Sequence, residues 1–270
     1  MNTYTEEELI STLDELPFWS APFGFELLNQ IQIKKNLQVL DIGCGLGFPI
    51  IQLAQMLGKS SMCFGIDPSE LSIKRAEFKI KGQGIENVQI LNAVAEQMPF
   101  ENDTFDLIIS NNGLNNVNNF EAALKEIKRV AKRGCQLVFS MNTNQTFSKF
   151  YFYLKETLKE FDFEDWIELV NQHIEEKRPS VEKISNLVNS YGFHIQNITF
   201  KEFHYKYSDG TSFLDSFFIK FAFISSWLKI LPETKAIEIL KEVENKLNLF
   251  ALNDSELKME VPFIVLNAVN

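Results

Sequence analysis

The stretch Val39-Leu40-Asp41-Ile42-Gly43-Cys44-Gly45-Leu46-Gly47-Phe48-Pro49 decides how this chain is read. An apolar run ends in a carboxylate, three glycines alternate, and Pro49 opens an apolar helical pattern, Ile50-Ile51-Gln52-Leu53-Ala54. This is the order strand, tight turn, helix. Glycine in such a turn lets a ligand approach bare backbone that a side chain would block. The unpaired N–H groups of the helix start face any anionic group on that ligand. Proline suits the first helical turn, where its missing N–H is no loss. A dinucleotide fingerprint would place its third glycine at position 48, where this chain has Phe48. A triphosphate-binding G-x-x-x-x-G-K-[ST] is absent. Asp41 would repel a pyrophosphate and suits a cationic amine.

Two further segments continue the pattern. The run Met62-Cys63-Phe64-Gly65-Ile66-Asp67-Pro68 ends a second strand in a carboxylate, which suits ribose hydroxyls. Residues 95–110 give a polar turn, Glu101-Asn102-Asp103, and then a buried-type strand from Phe105 to Ser110. The sequence predicts strands at 37–41, 61–66, 87–92, 105–110 and 135–141, with helices at 48–57, 69–82 and 120–131. Such alternation is that of a doubly wound, mostly parallel α/β sheet.

Val39 to Gly47, then Gly65-Ile66-Asp67-Pro68-Ser69, then Ala95-Glu96-Gln97-Met98-Pro99-Phe100, then Phe105 to Ser110, in this order, resemble a class I S-adenosylmethionine-dependent methyltransferase. The nearest branch is the small-molecule group that includes quinone-biosynthesis C-methyltransferases. The resemblance covers residues 37–142 and, more loosely, the C-terminal strands. It implies a Rossmann-like sheet of seven strands with the last two antiparallel, and S-adenosyl-L-methionine as cofactor. It implies that Asp41 orients the methionine end, that Gly43, Gly45 and Gly47 let backbone wrap it, and that Asp67 binds ribose. It also implies that Pro68 and Ser69 lie beside the adenine, that Ala95 and Glu96 border it, and that Asn111 lines the methyl-transfer centre. Many relatives carry Asp before the Ala-Glu pair, whereas this chain has Val94. Adenine recognition is then expected from backbone and apolar contact.

The plainer readings stand beside these. Asp67 also suits the cap of the following helix, and Glu96 the role of a solvated loop residue. Cys44 reads as a small filler, since no base stands near it in sequence. On the acceptor side, Trp19 and Phe18 are candidates for an aromatic wall or a hydrophobic plug. Asn112, Asn115 and Asn116 are candidates for orienting the acceptor, in a loop where relatives often carry histidine. Asparagine is no base near neutral pH. His173 and His204 are base candidates, and His194 reads as structural.

Composition sets the remaining bounds. A net charge of −10 on 270 residues disfavours a polyanion-binding surface and so nucleic acid. Cys44, Cys63 and Cys135 are too few and too far apart for a disulfide framework or metal motif, which suits the cytoplasm. No secretory signal is legible at the start of the sequence.

The sequence is expected to form one methyltransferase domain, 1–270, with a helical lid at 1–34, a helical cap at 144–177 and a helical insertion at 211–255 before the last strand. Within the lid, helices are expected at 5–16 and 25–34. Leu214, Phe217, Phe218, Phe221, Ile224, Leu228 and Leu231 give a helical apolar stripe over 211–231. Its charges, Asp215, Lys220 and Lys229, disfavour a membrane-spanning helix, and core, pocket wall, homo-oligomer interface and membrane contact are its open uses. The leading function is methyl transfer to a small apolar or aromatic acceptor. The alternatives are a protein or RNA methyltransferase, and a non-catalytic S-adenosylmethionine-binding protein.

Overall fold

The computed structural model describes Thr5 and residues 19–270. The helix expected from Thr5 to Leu16, and Phe18, fall in or reach into the segment outside the described residues. The first described helix is α1, Ser20–Asn29, which starts five residues before the expected 25–34. Pro22 is admitted because it stands in the first turn, where a helix leaves its N–H groups unpaired.

The chain then alternates: β1 Gln38–Ile42, α2 Ile50–Leu57, β2 Met62–Asp67, α3 Glu70–Gly82, β3 Val88–Asn92, β4 Phe105–Asn111, α4 Phe120–Val130 and β5 Ala131–Asn142. After β5 come α5 Ser148–Glu160, α6 Trp166–Lys177, α7 Val181–Ser190 and β6 His194–Tyr207. The short helices α8 Gly210–Asp215, α9 Phe217–Ile219 and α10 Ser225–Leu228 precede α11 Ala236–Asp254 and β7 Leu257–Val269.

The strands form one seven-stranded sheet in the order β3-β2-β1-β4-β5-β7-β6. β1 pairs parallel with β2 and β4, with Asp41 opposite Gly65 on one side and Ile109 on the other. β7 runs antiparallel to β5, from Gln136 opposite Val269 to Asn142 opposite Phe263. This is the expected doubly wound sheet. Strand order reverses between β1 and β4, so the carboxyl ends of β1, β2 and β4 open onto one crevice, where such sheets bind ligands.

The packing follows from sequence period. In α4, Ala123, Leu124, Ile127 and Val130 recur on one face and are fully buried, and the Asn119 side chain caps the helix by accepting from the Ala122 N–H. Phe64, Phe100 and Phe105 meet edge to face beneath the sheet, with centroids 4.9 to 5.9 Å apart. Two straps hold the 96–100 loop on α4. Glu126 accepts from the Met98 N–H, and Arg129 donates to the carbonyls of Met98 and Phe100 while pairing with Glu126 at 2.7 Å.

The chain divides into two compact units: residues 1–142, 181–201 and 263–270 in one, and 143–180 and 202–262 in the other. The second unit is built on aromatic rings. Trp227 is fully buried, stacks on Phe150 at 3.9 Å and donates through Nε1 to the Tyr151 hydroxyl. The segment 144–177, expected to be helical, holds the two helices α5 and α6, with Asp162 at φ +60° between them. The expected 211–231 helix is broken too. Ser216 is extended (φ −60°, ψ 139°), and a π-helical turn occupies Lys220–Ile224. That turn carries an extra residue, so the buried face becomes Ile219, Phe223, Trp227 and Leu231. Phe221, in the expected stripe, is 40% exposed. Among the described residues no helix is long and apolar enough to cross a membrane.

Candidate functional site

The glycine turn follows directly from β1. Gly43 has φ +72°, and a Cβ there would stand 2.9 Å from Gly113 Cα; a Cβ on Gly113 would stand 2.5 Å from the Ile42 carbonyl oxygen. Neither contact tolerates a side chain, so the loops after β1 and β4 touch only because both positions are glycine. Ser110 locks this contact from beneath: its buried Oγ donates to Ile42 O and accepts from the Leu114 N–H. The helix after the turn starts at Ile50, and Pro49 takes the cap position ahead of it.

At the end of β2 the Asp67 carboxylate holds two backbone donors, Gly45 N–H on Oδ2 and Ser69 N–H on Oδ1, each at 2.9 Å. It thereby ties the glycine turn to the start of α3. Ser69 caps α3, its Oγ accepting from the Ser72 N–H. One strand over, Asp41 is fully buried, and neither carboxylate oxygen has a partner among the described residues. Burial, and next the charge of Asp67, push its carboxyl well above the usual range. Cys63 beneath it is pushed up to about 12 by burial and by Asp41, and Cys44 is raised for the same reasons, so neither is a nucleophile.

A cavity of about 360 Å³ opens over this turn, lined wholly by the first unit. Its floor is Ile42, Gly43, Ile66, Asp67 and Pro68. One wall is Ala93 to Glu96, including Val94, which is 42% exposed. The other wall runs from Asn111 to Gly113 and from Asn116 to Asn118, and Trp19 and Ser20 close the rim. Trp19 leans on Phe23 with centroids 5.3 Å apart.

Glu96 is neither a solvated loop residue nor idle. Its Oε1 accepts from the N–H groups of Asn118 (2.8 Å) and Asn119 (3.0 Å), clamping one wall to the other at the start of α4. Asn111 is spent inside the fold: it donates through Nδ2 to Ser20 O and accepts on Oδ1 from Ser140 Oγ, so it docks α1 on the sheet.

Of the residues singled out in the sequence, Trp19, Gly43, Asp67, Pro68, Ala95, Glu96, Asn111, Asn112 and Asn116 line this cavity. Asp41, Gly45, Gly47, Ser69 and Asn115 are not among the lining residues. His173 in α6 and His204 in β6 belong to the second unit and are not among the lining residues. Burial, with Arg178 and Lys177, holds His173 below its usual range, and His204 pairs with Glu202 at 3.0 Å. Gly113, within the 111–116 loop expected to touch the acceptor, lines the cavity too, and Val117, Asn118 and Ser20 line it with no signal in the sequence. The signal for Gly113 was its place between asparagines directly after a buried strand.

A cavity at the switch point of a doubly wound sheet, with a glycine turn below and a carboxylate at the end of the second strand, stands where such α/β folds bind their ligands. The family described as a methyltransferase domain matches residues 33–203, and the chain belongs to that family. Among curated relatives, a demethylmenaquinone methyltransferase of Geobacillus stearothermophilus is 32% identical over 134 residues, 48% of this chain and 57% of that one. The demethylmenaquinone methyltransferase of Bacillus subtilis is 37% identical over 108 residues, 40% of this chain and 46% of that one. The chain thus spans about half the length of these relatives. In fold, it resembles a SAM-dependent methyltransferase from Aquifex aeolicus, at TM-score 0.55 and 20% identity over 73% of this chain and 93% of that one. It also resembles the [4+2]-cyclase SpnF, at TM-score 0.58 and 15% identity over 92% and 80%.

Proposed function

We propose that this protein transfers the methyl group of S-adenosylmethionine to a small, flat, apolar or aromatic acceptor. The observation that carries the reading is the Asp67 carboxylate at the cavity floor, bonded to the glycine turn through the Gly45 N–H. The buried, unpartnered oxygens of Asp41 support it as well, because an orphaned carboxyl beside an open backbone turn fits a ligand that brings a cation. A Cβ on Gly45 would meet nothing within 4 Å, which leaves room for a ligand over the turn.

In this reading Asp67 would hold the ribose hydroxyls, and Gly43 to Gly47 would receive the methionine end beside Asp41. Pro68, Val94 and Ala95 would border the adenine, and Glu96 ties the two walls together. The bound sulfonium supplies an electrophilic methyl group. The chain itself supplies position, which in well-oriented systems contributes on the order of 7–11 kcal/mol, and Trp19 offers an aromatic face to a cation or a flat acceptor. The name shared by the curated relatives supports a quinone-like ring. Three buried free thiols support a reducing compartment, the cytoplasm.

Calorimetry with S-adenosylmethionine and S-adenosylhomocysteine tests the reading. Micromolar binding is expected for the native chain and a loss of at least about tenfold for Asp67→Asn, which keeps one acceptor where two were used. Absence of binding to the native chain would remove the proposal.

A further inference from the structure

The wall after β4 carries an amide whose orientation is already set. Asn112 is 9% exposed, lines the cavity and sits at φ +58°, a backbone conformation that asparagine tolerates better than most residues. Its backbone N–H donates to Ser140, both to the carbonyl and to Oγ, at 3.1 Å. Its side-chain oxygen is used twice: Oδ1 accepts from Asn115 Nδ2 at 2.8 Å and from the Asn142 backbone N–H at 3.3 Å. Asn115 is held in turn, because the same Nδ2 also donates to Asn142 Oδ1. An amide that takes two donors on its oxygen cannot flip without losing both bonds, so the end left for the cavity is Nδ2. Among the described residues no group accepts from it.

The two carboxylates of the cavity lining already accept from backbone donors. Asp67 is engaged by the N–H groups of Gly45 and Ser69, and Glu96 Oε1 by those of Asn118 and Asn119. Among the described residues lining the cavity there is no histidine, lysine, cysteine or tyrosine. The acceptor wall therefore offers a fixed N–H donor, and both carboxylates of the described lining are held by backbone N–H groups.

Resting on the methyl-transfer reading, we propose that Asn112 Nδ2 binds an oxygen of the acceptor in its anionic form, so that the acceptor class is an acidic phenol or enol that enters the site as phenolate or enolate. Asn115 and Asn142 are positioning residues for that amide. A donor held in place before the ligand arrives costs no reorganisation when it meets developing or resident negative charge, and hydrogen bonds to charged acceptors are the strong ones. An acceptor already in anionic form needs no general base from the chain.

The test uses 4-nitrophenol, whose phenolate absorbs visibly, added to the full chain saturated with S-adenosylhomocysteine. The native complex is expected to favour phenolate over phenol by about 10- to 100-fold, so the apparent pKa of the bound probe falls below its value in buffer. Asn112→Asp keeps both acceptor bonds of the network but replaces the donor by an anion; the preference is then lost and the bound probe's pKa rises. Asn115→Ala unlocks the amide and gives a smaller loss. A purely structural Asn112 would leave the probe's pKa unmoved in the native complex, and that result overturns the inference without any variant. So does an equal preference in Asn112→Asp, or homocysteine-cofactor binding with no affinity for the phenolate. Failure of S-adenosylhomocysteine itself to bind the native chain is a different result: it removes the proposed function and this inference with it.

Discussion

Asp41 concentrates most of the residue-scale physics. A carboxyl whose pKa is higher folded than unfolded binds its proton more tightly in the folded chain. Its contribution to stability is therefore fully present below the ordinary carboxylate range and declines as pH rises through the raised folded value. Asp41→Asn keeps the shape and removes the ionisation. The variant is expected to melt above the native chain at neutral pH, with a gap that widens from pH 5 to pH 8. A gap that stays constant with pH in thermal unfolding would mean that Asp41 does not carry the titration. A cation bound beside Asp41 lowers its pKa, so S-adenosylmethionine binding should release protons and strengthen as pH rises. Calorimetry in two buffers of different ionisation enthalpy counts those protons, and Asp41→Asn should bring the count towards zero. Glu96 is the second residue-scale case. Glu96→Ala strands two N–H groups at the start of α4 and should lower stability by about 1–2 kcal/mol, with weaker cofactor binding. Glu96→Gln keeps an acceptor oxygen and should lose less. Equal losses in urea unfolding would show that charge, and not acceptance, matters there.

At the scale of elements, legibility followed local chemistry. The strand, glycine turn and helix over 39–57 were readable because Asp41, the alternating glycines and the apolar run after Pro49 each have a local backbone reason. The segment 211–231 was not, because its phase depends on a break at Ser216 and on the extra residue of the Lys220–Ile224 turn, and neither has a composition signal. The same gap hid the asparagine wall. Four asparagines in a loop look like solvated polarity, and only the position of Ser140 and Asn142 on β5 turns Asn112 and Asn115 into an ordered network. The helix phase has a direct check. Trp227→Ala should destabilise by about 3–5 kcal/mol, whereas Phe221→Ala, on the face the sequence period favoured, should stay within about 0.5 kcal/mol. The reverse order in denaturant unfolding followed by circular dichroism would restore the unbroken helix.

At the scale of the whole molecule, the cavity draws its described lining from only one of the two units. The contributing segments are distant in sequence: Trp19 and Ser20, the turn after β1, the end of β2, the loop from Ala93 to Glu96, and the wall from Asn111 to Asn118. A ligand that touches all of them stabilises the folded state by RT ln(1 + [L]/Kd), about 2.7 kcal/mol at a hundredfold excess over Kd. For a chain of this size that corresponds to a rise in melting temperature of roughly 5–10 °C. The rise alone would not distinguish a ligand in this cavity from one bound elsewhere, but amide exchange does. With S-adenosylhomocysteine, added protection is expected at 42–47, 66–69, 93–98 and 111–119, the loops that the contacts of Asp67, Ser110 and Glu96 tie together. The aromatic core around Phe150 and Trp227 belongs to the other unit and lines none of this cavity, so its slow amides should keep their rates. Protection centred on that core, with the glycine turn unchanged, would move the binding site out of the sheet's crevice.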